Sequence, residues 1–265
     1  MSHVKKTLTF KFFLSSQYPQ LINKYQFMQV LSEVSEKQVI HLQIPVEQAE
    51  EKIRIQNALK RKKIQLILKR TFDIVVASVL IVLLAPILIL VAVLIKLSSK
   101  GNVLYSNERV GYKGKNFRCY KFRSMVSDQS KVARAYREAL EQQQKGILLK
   151  LQDDPRVTWI GKIIRKSSID ELPQLFNVLK GDMSIVGPRP LVPFMLSHLP
   201  EFKAIRCLVR PGITGLWQIR DRVNNTSAEF MVEHDTEYIK NYSLMMDLKI
   251  LISTPMVVLS AEGAY

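Results

Sequence analysis

Residues 74–95, from Ile74 to Ile95, contain no charged side chain. A stretch of that length suffices to cross the ~30 Å hydrocarbon core of a bilayer, and nothing else in the chain restricts its fold so strongly. Pro86 lies near its middle, where it removes a backbone donor and crowds the preceding turn. The pattern alone admits a single kinked transmembrane helix. The flanks argue against that. Lys60, Arg61, Lys62, Lys63, Lys69 and Arg70 form a basic collar before the segment, and Lys96, Lys100, Arg109, Lys113, Lys115 and Arg118 make the far side as basic. Basic flanks prefer the cytoplasm, so a spanning helix would leave one of them on the wrong side. A helix broken at Ala85–Pro86 that enters and leaves on the same face keeps both inside. Asp73, near the mouth of the segment, is expected to lie close to Lys69 and Arg70 and to pair there.

Residues 167–190 carry the densest chemistry. Asp170 and Glu171 are adjacent carboxylates at an expected helix start. Ser168 precedes Glu171 by the spacing of a capping box, and Pro173 is tolerated only in or near a first turn. Leu172, Leu175, Phe176 and Leu179 continue at helical spacing to Gly181, an expected stop. Both acids then face the positive end of the helix dipole, which favours their ionised forms. Arg189 is held between Pro188 and Pro190. A guanidinium on so stiff a loop suits phosphate oxygens. Each piece also has a plain structural reading, as a cap and a turn.

The chain holds 39 Lys and Arg against 23 Asp and Glu, a formal charge of +16. That surplus suits nucleic acid, anionic lipid or phosphorylated substrates without choosing among them. Cys119 and Cys207 lack metal-ligand spacing and read as reduced, structural thiols. Residues 103–105 and 117–122 read as short strands joined by a turn carrying Gly111 and Gly114, a hairpin that delivers Lys121 and Arg123 at its far end. Residues 128–145 read as an exposed polar helix, and residues 157–166 lead, with Arg165, into the acidic pair. Residues 191–206 suit an amphipathic helix lying on lipid, or an ordinary core-facing one. Residues 210–218 form a glycine-containing loop surrounded by Arg206, Arg210, Arg220 and Arg222, with Trp217 as a stacking face. Arginines mixed with an aromatic can mark single-stranded nucleic acid binding, but no recognisable module accompanies them. Residues 244–259, with Pro255, read as a closing helix. Residues 1–59 form an extension of unknown role, with a short strand at 39–44 and a charged helix at 46–59. Lys11 interrupts its early apolar run and no cleavage site follows, so a signal peptide is not expected.

KRTFD, ERVGYKGKNFRCYKFRSM, DDPRVTWIGKIIRKSSIDELPQLFNVLKGDMSIVGPRP, RPGITGLWQ and the terminal GAY occur in that order. Over residues 69–265 the chain resembles the bacterial sugar transferases that move a sugar-1-phosphate from a nucleotide sugar onto polyprenyl phosphate. The resemblance implies a helix-rich α/β unit with few short strands, membrane-associated through one re-entrant helical hairpin and interfacial amphipathic helices. Residues 60–98 would be the basic collar and the hairpin broken near Pro86, and residues 99–265 a cytoplasmic catalytic domain on the bacterial inner membrane. The implied reaction passes a hexose-1-phosphate from a UDP-sugar, with UDP-glucose or UDP-galactose favoured, to undecaprenyl phosphate and releases UMP. It would be the first membrane step of exopolysaccharide or capsule synthesis. Asp170 is implied as the nucleophile of a covalent intermediate and Glu171 as the ligand of Mg²⁺. Spacing alone leaves Asp170 equally able to serve as ligand or base in a ternary complex, and a non-catalytic membrane scaffold is the reading from another class. Lys121, Arg123, Arg165, Arg189, Arg210 and Arg222 are implied phosphate ligands, and Pro86, Pro188 and Pro190 shape the motifs. Expected partners are the UDP-sugar, undecaprenyl phosphate and anionic lipid, without nucleic acid; a homo-oligomer is compatible with the reading. One departure stands out: Asp221 occupies a position that is usually Gly, immediately before Arg222.

Overall fold

The computed structural model describes residues 50–126, 156–197, 199–220 and 228–259. The strand expected at 39–44, the polar helix at 128–145, Asp221, Arg222 and the terminal GAY lie outside the described residues. The described residues from Lys52 onward group as one compact unit.

The apolar segment lies within α1, Lys63–Ser98, a helix of 36 residues and about 54 Å at 1.5 Å per residue. Among the described residues it alone is long and apolar enough to cross a membrane. Pro86 sits inside α1 and does not divide it, so the break expected at Ala85–Pro86 is absent as a break. Proline removes one donor and leaves the hydrogen bonds on either side in place. The apolar side chains around it offer the backbone no other partners.

Both ends of α1 are fastened to the same body. At the start, Lys62 donates to Tyr242 O at 2.5 Å, Lys69 binds Asp247 Oδ2 at 2.8 Å, and Arg70 donates to Val178 O and Leu179 O at 2.7 and 3.1 Å. Asp73, only 2% exposed, accepts from Ser184 Oγ and from the Ile185 backbone N–H, each at 3.0 Å. Asp73 does lie near enough for its charge to act on Arg70, but its hydrogen bonds go to Ser184 and Ile185 rather than to Lys69 or Arg70. Arg70 is drawn instead to the carbonyl end of a following helix, where a cation is favoured. At the far end, Arg123 donates to Lys100 O, Ile95 O and Ser99 O at 2.8, 3.2 and 2.7 Å, and Val91 and Ile95 pack with Phe122, Ile160 and Ile164. Between the ends, Val82, Leu83, Ile89 and Leu90 are exposed.

Strands β1 (Leu104–Val110) and β2 (Asn116–Phe122) pair antiparallel, with Tyr105 opposite Lys121 and Arg109 opposite Phe117. β1 is longer than its sequence reading because residues 106–110 keep the ladder up to the turn at Gly111. Helix α2 (Trp159–Lys166) follows, capped by Thr158, whose side chain accepts from the Gly161 N–H. Helix α3 (Gln174–Lys180) stops at Gly181 in the left-handed region, φ 90°, as expected of a glycine just past the last turn. Strand β3 (Ser184–Val186) pairs parallel with β4 (Gly212–Thr214). The expected helix over 191–206 is two short helices, α4 (Pro193–Ser197) and α5 (Pro200–Arg206), because Pro200 starts a new helix rather than continuing one. Leu196, Phe202 and Ile205 face the interior, and Phe194 is exposed. Helices α6 (Leu216–Arg220), α7 (Ala228–Lys240) and α8 (Leu244–Leu259) complete the chain, α8 with the expected bounds. Arg206 on α5 and Asp235 on α7 form a buried ion pair. Tyr238 donates to Asp247 Oδ1 at 2.7 Å, joining α7 to α8 and, through Lys69, to α1.

Candidate active site

Asp170 and Glu171 lie in a short 3-10 turn, Ile169–Glu171, ahead of α3 rather than in its first turn. Ser168 enters that turn at φ 57° and makes no side-chain cap, so the expected capping box is not formed. Left-handed backbone at a serine is uncommon and strained. It swings the chain from the end of α2 so that both acids meet the end of the β-hairpin.

Lys121, at the end of β2, reaches Glu171 Oε1 at 2.6 Å and Asp170 Oδ2 at 3.9 Å. Arg189 reaches the same Glu171 oxygen at 2.8 Å and lies over the Trp217 ring at 5.9 Å. Two cations therefore converge on one carboxylate oxygen. Burial opposes the Glu171 charge, but Arg189 and Lys121 outweigh it and hold this carboxyl well below the ordinary range. Asp170 behaves the other way. Burial pushes its carboxyl up and Lys121 only partly offsets it, so the expectation that the ionised form is favoured holds for Glu171 and not for Asp170. Environments that drive neighbouring carboxyls apart give them different roles. Glu171 is an anion held through its Oε1 by two cations, while Asp170 is the more basic and less engaged of the two.

The Arg189 loop is braced from behind. Gly187 N–H donates to Thr214 O at 2.9 Å and Gly212 N–H to Pro188 O at 2.9 Å, so Pro188 and Pro190 flank a guanidinium set by the β3–β4 pair. Of the other arginines named from sequence, Arg165 acts on Asp170 through its charge, lowering its pKa. Arg210 points elsewhere, donating to Gly181 O at 2.9 Å and lying over Tyr112 at 5.2 Å. Arg123, expected as a phosphate ligand, is not brought to the acidic pair. It is 7% exposed and spends its guanidinium on three carbonyls at the end of α1, because it lies just past β2 and turns toward the helix terminus. Arg109 was not singled out from sequence as a site residue, yet its Nη1 donates to Pro190 O at 3.3 Å. The missed signal was strand alternation, which places it on the Lys121 face once β1 extends to Val110.

Among the described residues no cluster of three or more His, Cys, Asp or Glu side chains occurs. The protein thus offers two adjacent carboxylates. That donor set suits Mg²⁺, which binds through one or two carboxylates and completes its shell with water and substrate phosphates.

Residues 64–261 match the family described as bacterial sugar transferase. The chain is 46% identical over 203 residues to an uncharacterized sugar transferase of Haemophilus influenzae, covering 75% of this chain and 42% of that protein. It is 41% identical over 199 residues to the exopolysaccharide production protein ExoY of Sinorhizobium fredii, covering 74% and 88%. It is 42% identical over 215 residues to the undecaprenyl-phosphate galactose phosphotransferase of Salmonella typhimurium, covering 80% and 44%. The chain spans less than half the length of the Haemophilus and Salmonella proteins.

Proposed function

The chain belongs to the bacterial sugar transferase family, and we propose that it transfers a hexose-1-phosphate from a UDP-sugar to undecaprenyl phosphate, releasing UMP. The carrying observation is the unlike carboxylate pair: Glu171 paired through its Oε1 with Lys121 and Arg189, beside a buried and less engaged Asp170. The name of the Salmonella relative supports a galactose donor, and that of the Sinorhizobium relative a place in exopolysaccharide synthesis.

In the mechanism, an Asp170 carboxylate oxygen attacks the sugar-proximal phosphorus of the UDP-sugar. The bond from that phosphorus to the bridging oxygen breaks, and UMP leaves with the electron pair. An oxygen of undecaprenyl phosphate then attacks the same phosphorus. The phosphorus–Asp170 bond breaks, giving the lipid diphosphate sugar and restoring the carboxylate. Burial makes Asp170 more basic than an ordinary aspartate, and a more basic carboxylate is the better nucleophile wherever it is ionised. Lys121 and Arg189 offset the charge collecting on the transferred group. Glu171 would hold Mg²⁺, which would supply further charge neutralisation on the diphosphate.

The same reading lays the unbroken α1 against the cytoplasmic face of the membrane, with both of its ends on one side. Two observations support it: both ends of α1 bind one body, and the stretch between them is apolar and exposed. A helix with its ends in opposite compartments could not dock both on a single cytoplasmic unit.

In detergent, UMP is expected from a UDP-sugar only when Mg²⁺ and undecaprenyl phosphate are both present over multiple turnovers. Intact mass under single-turnover conditions should show the phosphosugar adduct. No UMP from any UDP-sugar in a broad panel would refute the reading, and active enzyme without the adduct would favour the ternary complex. The pH dependence follows from Asp170. The nucleophile must be deprotonated, and its carboxyl is raised from the ordinary value of 3.8. Single-turnover UMP release should therefore fall, as pH drops, through a midpoint above 3.8. Glu171, lowered, stays ionised across that window and adds no limb there. A rate flat down to the ordinary aspartate range would remove Asp170 from the role.

A further inference from the structure

The hairpin face that offers Lys121 to Glu171 offers a second cation. Side chains alternate along paired strands, so Tyr105, Asn107 and Arg109 on β1 share a face with Phe117, Cys119 and Lys121 on β2. The end of β1 is sewn to the Arg189 loop: Val110 N–H donates to Leu191 O at 3.0 Å, and Arg109 Nη1 to Pro190 O at 3.3 Å. Arg109 Nε is buried and has no partner in the protein. Trp217, lying under the Arg189 guanidinium and packed in one cluster with Val110 and Leu191, has a buried indole N–H that is likewise without a partner. Leaving a donor buried and unsatisfied costs about 1–3 kcal/mol. Both donors belong to side chains packed against the Arg189 loop, Arg109 through Pro190 O and Trp217 through the Arg189 guanidinium, and each lacks an acceptor.

The charges agree. Lys121 and Arg189 share the one Glu171 oxygen, and among the described residues no carboxylate forms an ion pair with Arg109. Burial lowers the pKa of the Arg109 guanidinium and Arg189 adds to that, while Cys119 and Glu171 act the other way. A guanidinium not bonded to a carboxylate can take an anion, and its planar fork matches phosphate oxygens.

We propose that Arg109 and the Trp217 indole N–H form a second phosphate subsite beside Arg189, taking a phosphate group other than the one transferred. Two substrates could supply it, the nucleotide through its UMP phosphate or the lipid through its own. The assignment rests on the transferase reading, and the experiment separates the two.

Arg109→Met, Arg109→Lys and Trp217→Phe would be compared with the parent protein. The readouts are KM for the UDP-sugar, KM for undecaprenyl phosphate, UMP affinity by calorimetry, and thermal unfolding. Losing a charge-assisted hydrogen bond should raise one KM by about 10- to 100-fold in Arg109→Met. Arg109→Lys should recover part of that loss, and Trp217→Phe should show a smaller rise in the same KM. Unfolding temperatures should stay close to the parent value. Weakened UMP binding together with a raised UDP-sugar KM assigns the subsite to the nucleotide; unchanged UMP binding with a raised lipid KM assigns it to the lipid phosphate. Unchanged values in all three assays would overturn the subsite, as would losses that merely follow a fall in unfolding temperature. A parent protein that releases no UMP from any sugar would sink the transferase reading instead, and UMP calorimetry on Arg109→Met would still test the subsite.

Discussion

Asp170→Asn is expected to lower UMP release by at least about 10⁴-fold, the scale of removing a covalent nucleophile, with no loss of folding stability at neutral pH. The two halves of that expectation have one origin. Burial raises the Asp170 carboxyl above its unfolded value, so the fold favours the protonated form. The resulting stability is present at low pH and is lost as pH rises through the folded value. A neutral amide of the same shape removes that cost at pH 7 while deleting the attacking oxygen. Glu171 has the opposite sign. Its depressed carboxyl contributes stability above its unfolded value of 4.5, lost as pH falls. Glu171→Gln would leave Lys121 and Arg189 facing a neutral group and should lower the unfolding temperature at pH 7. Thermal unfolding and UMP release, measured on both variants, check the pair. Near-parental turnover by Asp170→Asn would end its assignment as nucleophile, and marked destabilisation would recast it as a structural acid.

That contrast marks where sequence reasoning succeeded and where it stopped. The apolar core of α1, the glycine stop of α3, the hairpin and the bounds of α8 were legible because each depends on local composition and spacing. Positions set by distant partners were not. Asp73 looked like a companion of Lys69 and Arg70 because they are neighbours along the chain. In the fold it holds β3 through Ser184 and Ile185, more than a hundred residues away. Lys121 and Arg123 looked equivalent because only Phe122 separates them. One ends on the acidic pair, and the other lies past the end of β2 and closes the terminus of α1. For the acids, the expectation that both ionised forms are favoured agrees with the environment of Glu171 and not with that of Asp170. Helix-dipole reasoning assumes a continuous helix, whereas here a separate 3-10 turn carries them and burial dominates Asp170. Arg109 stayed hidden for a related reason, since its face is fixed by how far the strand ladder runs.

Gly212→Ala should unfold or severely destabilise the domain and abolish UMP release, although residue 212 is remote in sequence from the acidic pair. A Cβ built there would lie 2.1 Å from Gly187 N, 2.5 Å from Thr214 O and 2.7 Å from Gly187 Cα. All three are backbone atoms, so no side-chain rotation can relieve the contact. The strands would have to part, breaking the Gly212 N–H bond to Pro188 O and the Gly187 N–H bond to Thr214 O. Overpacking that moves backbone costs about 1–3 kcal/mol or more, and two buried hydrogen bonds are lost besides. A total above about 3 kcal/mol is a large share of the roughly 5–15 kcal/mol that domains possess. Molecules that remained folded would still carry Arg189 on a displaced loop, away from Glu171. Gly114 supplies the control. It adopts φ +74° with no atom within 4 Å of a built Cβ, so Gly114→Ala should cost only about 1–2 kcal/mol of backbone strain and keep turnover in the folded protein. If Gly212→Ala matched Gly114→Ala in unfolding temperature and activity, the β3–β4 contact could not be what holds Arg189 at the acidic pair.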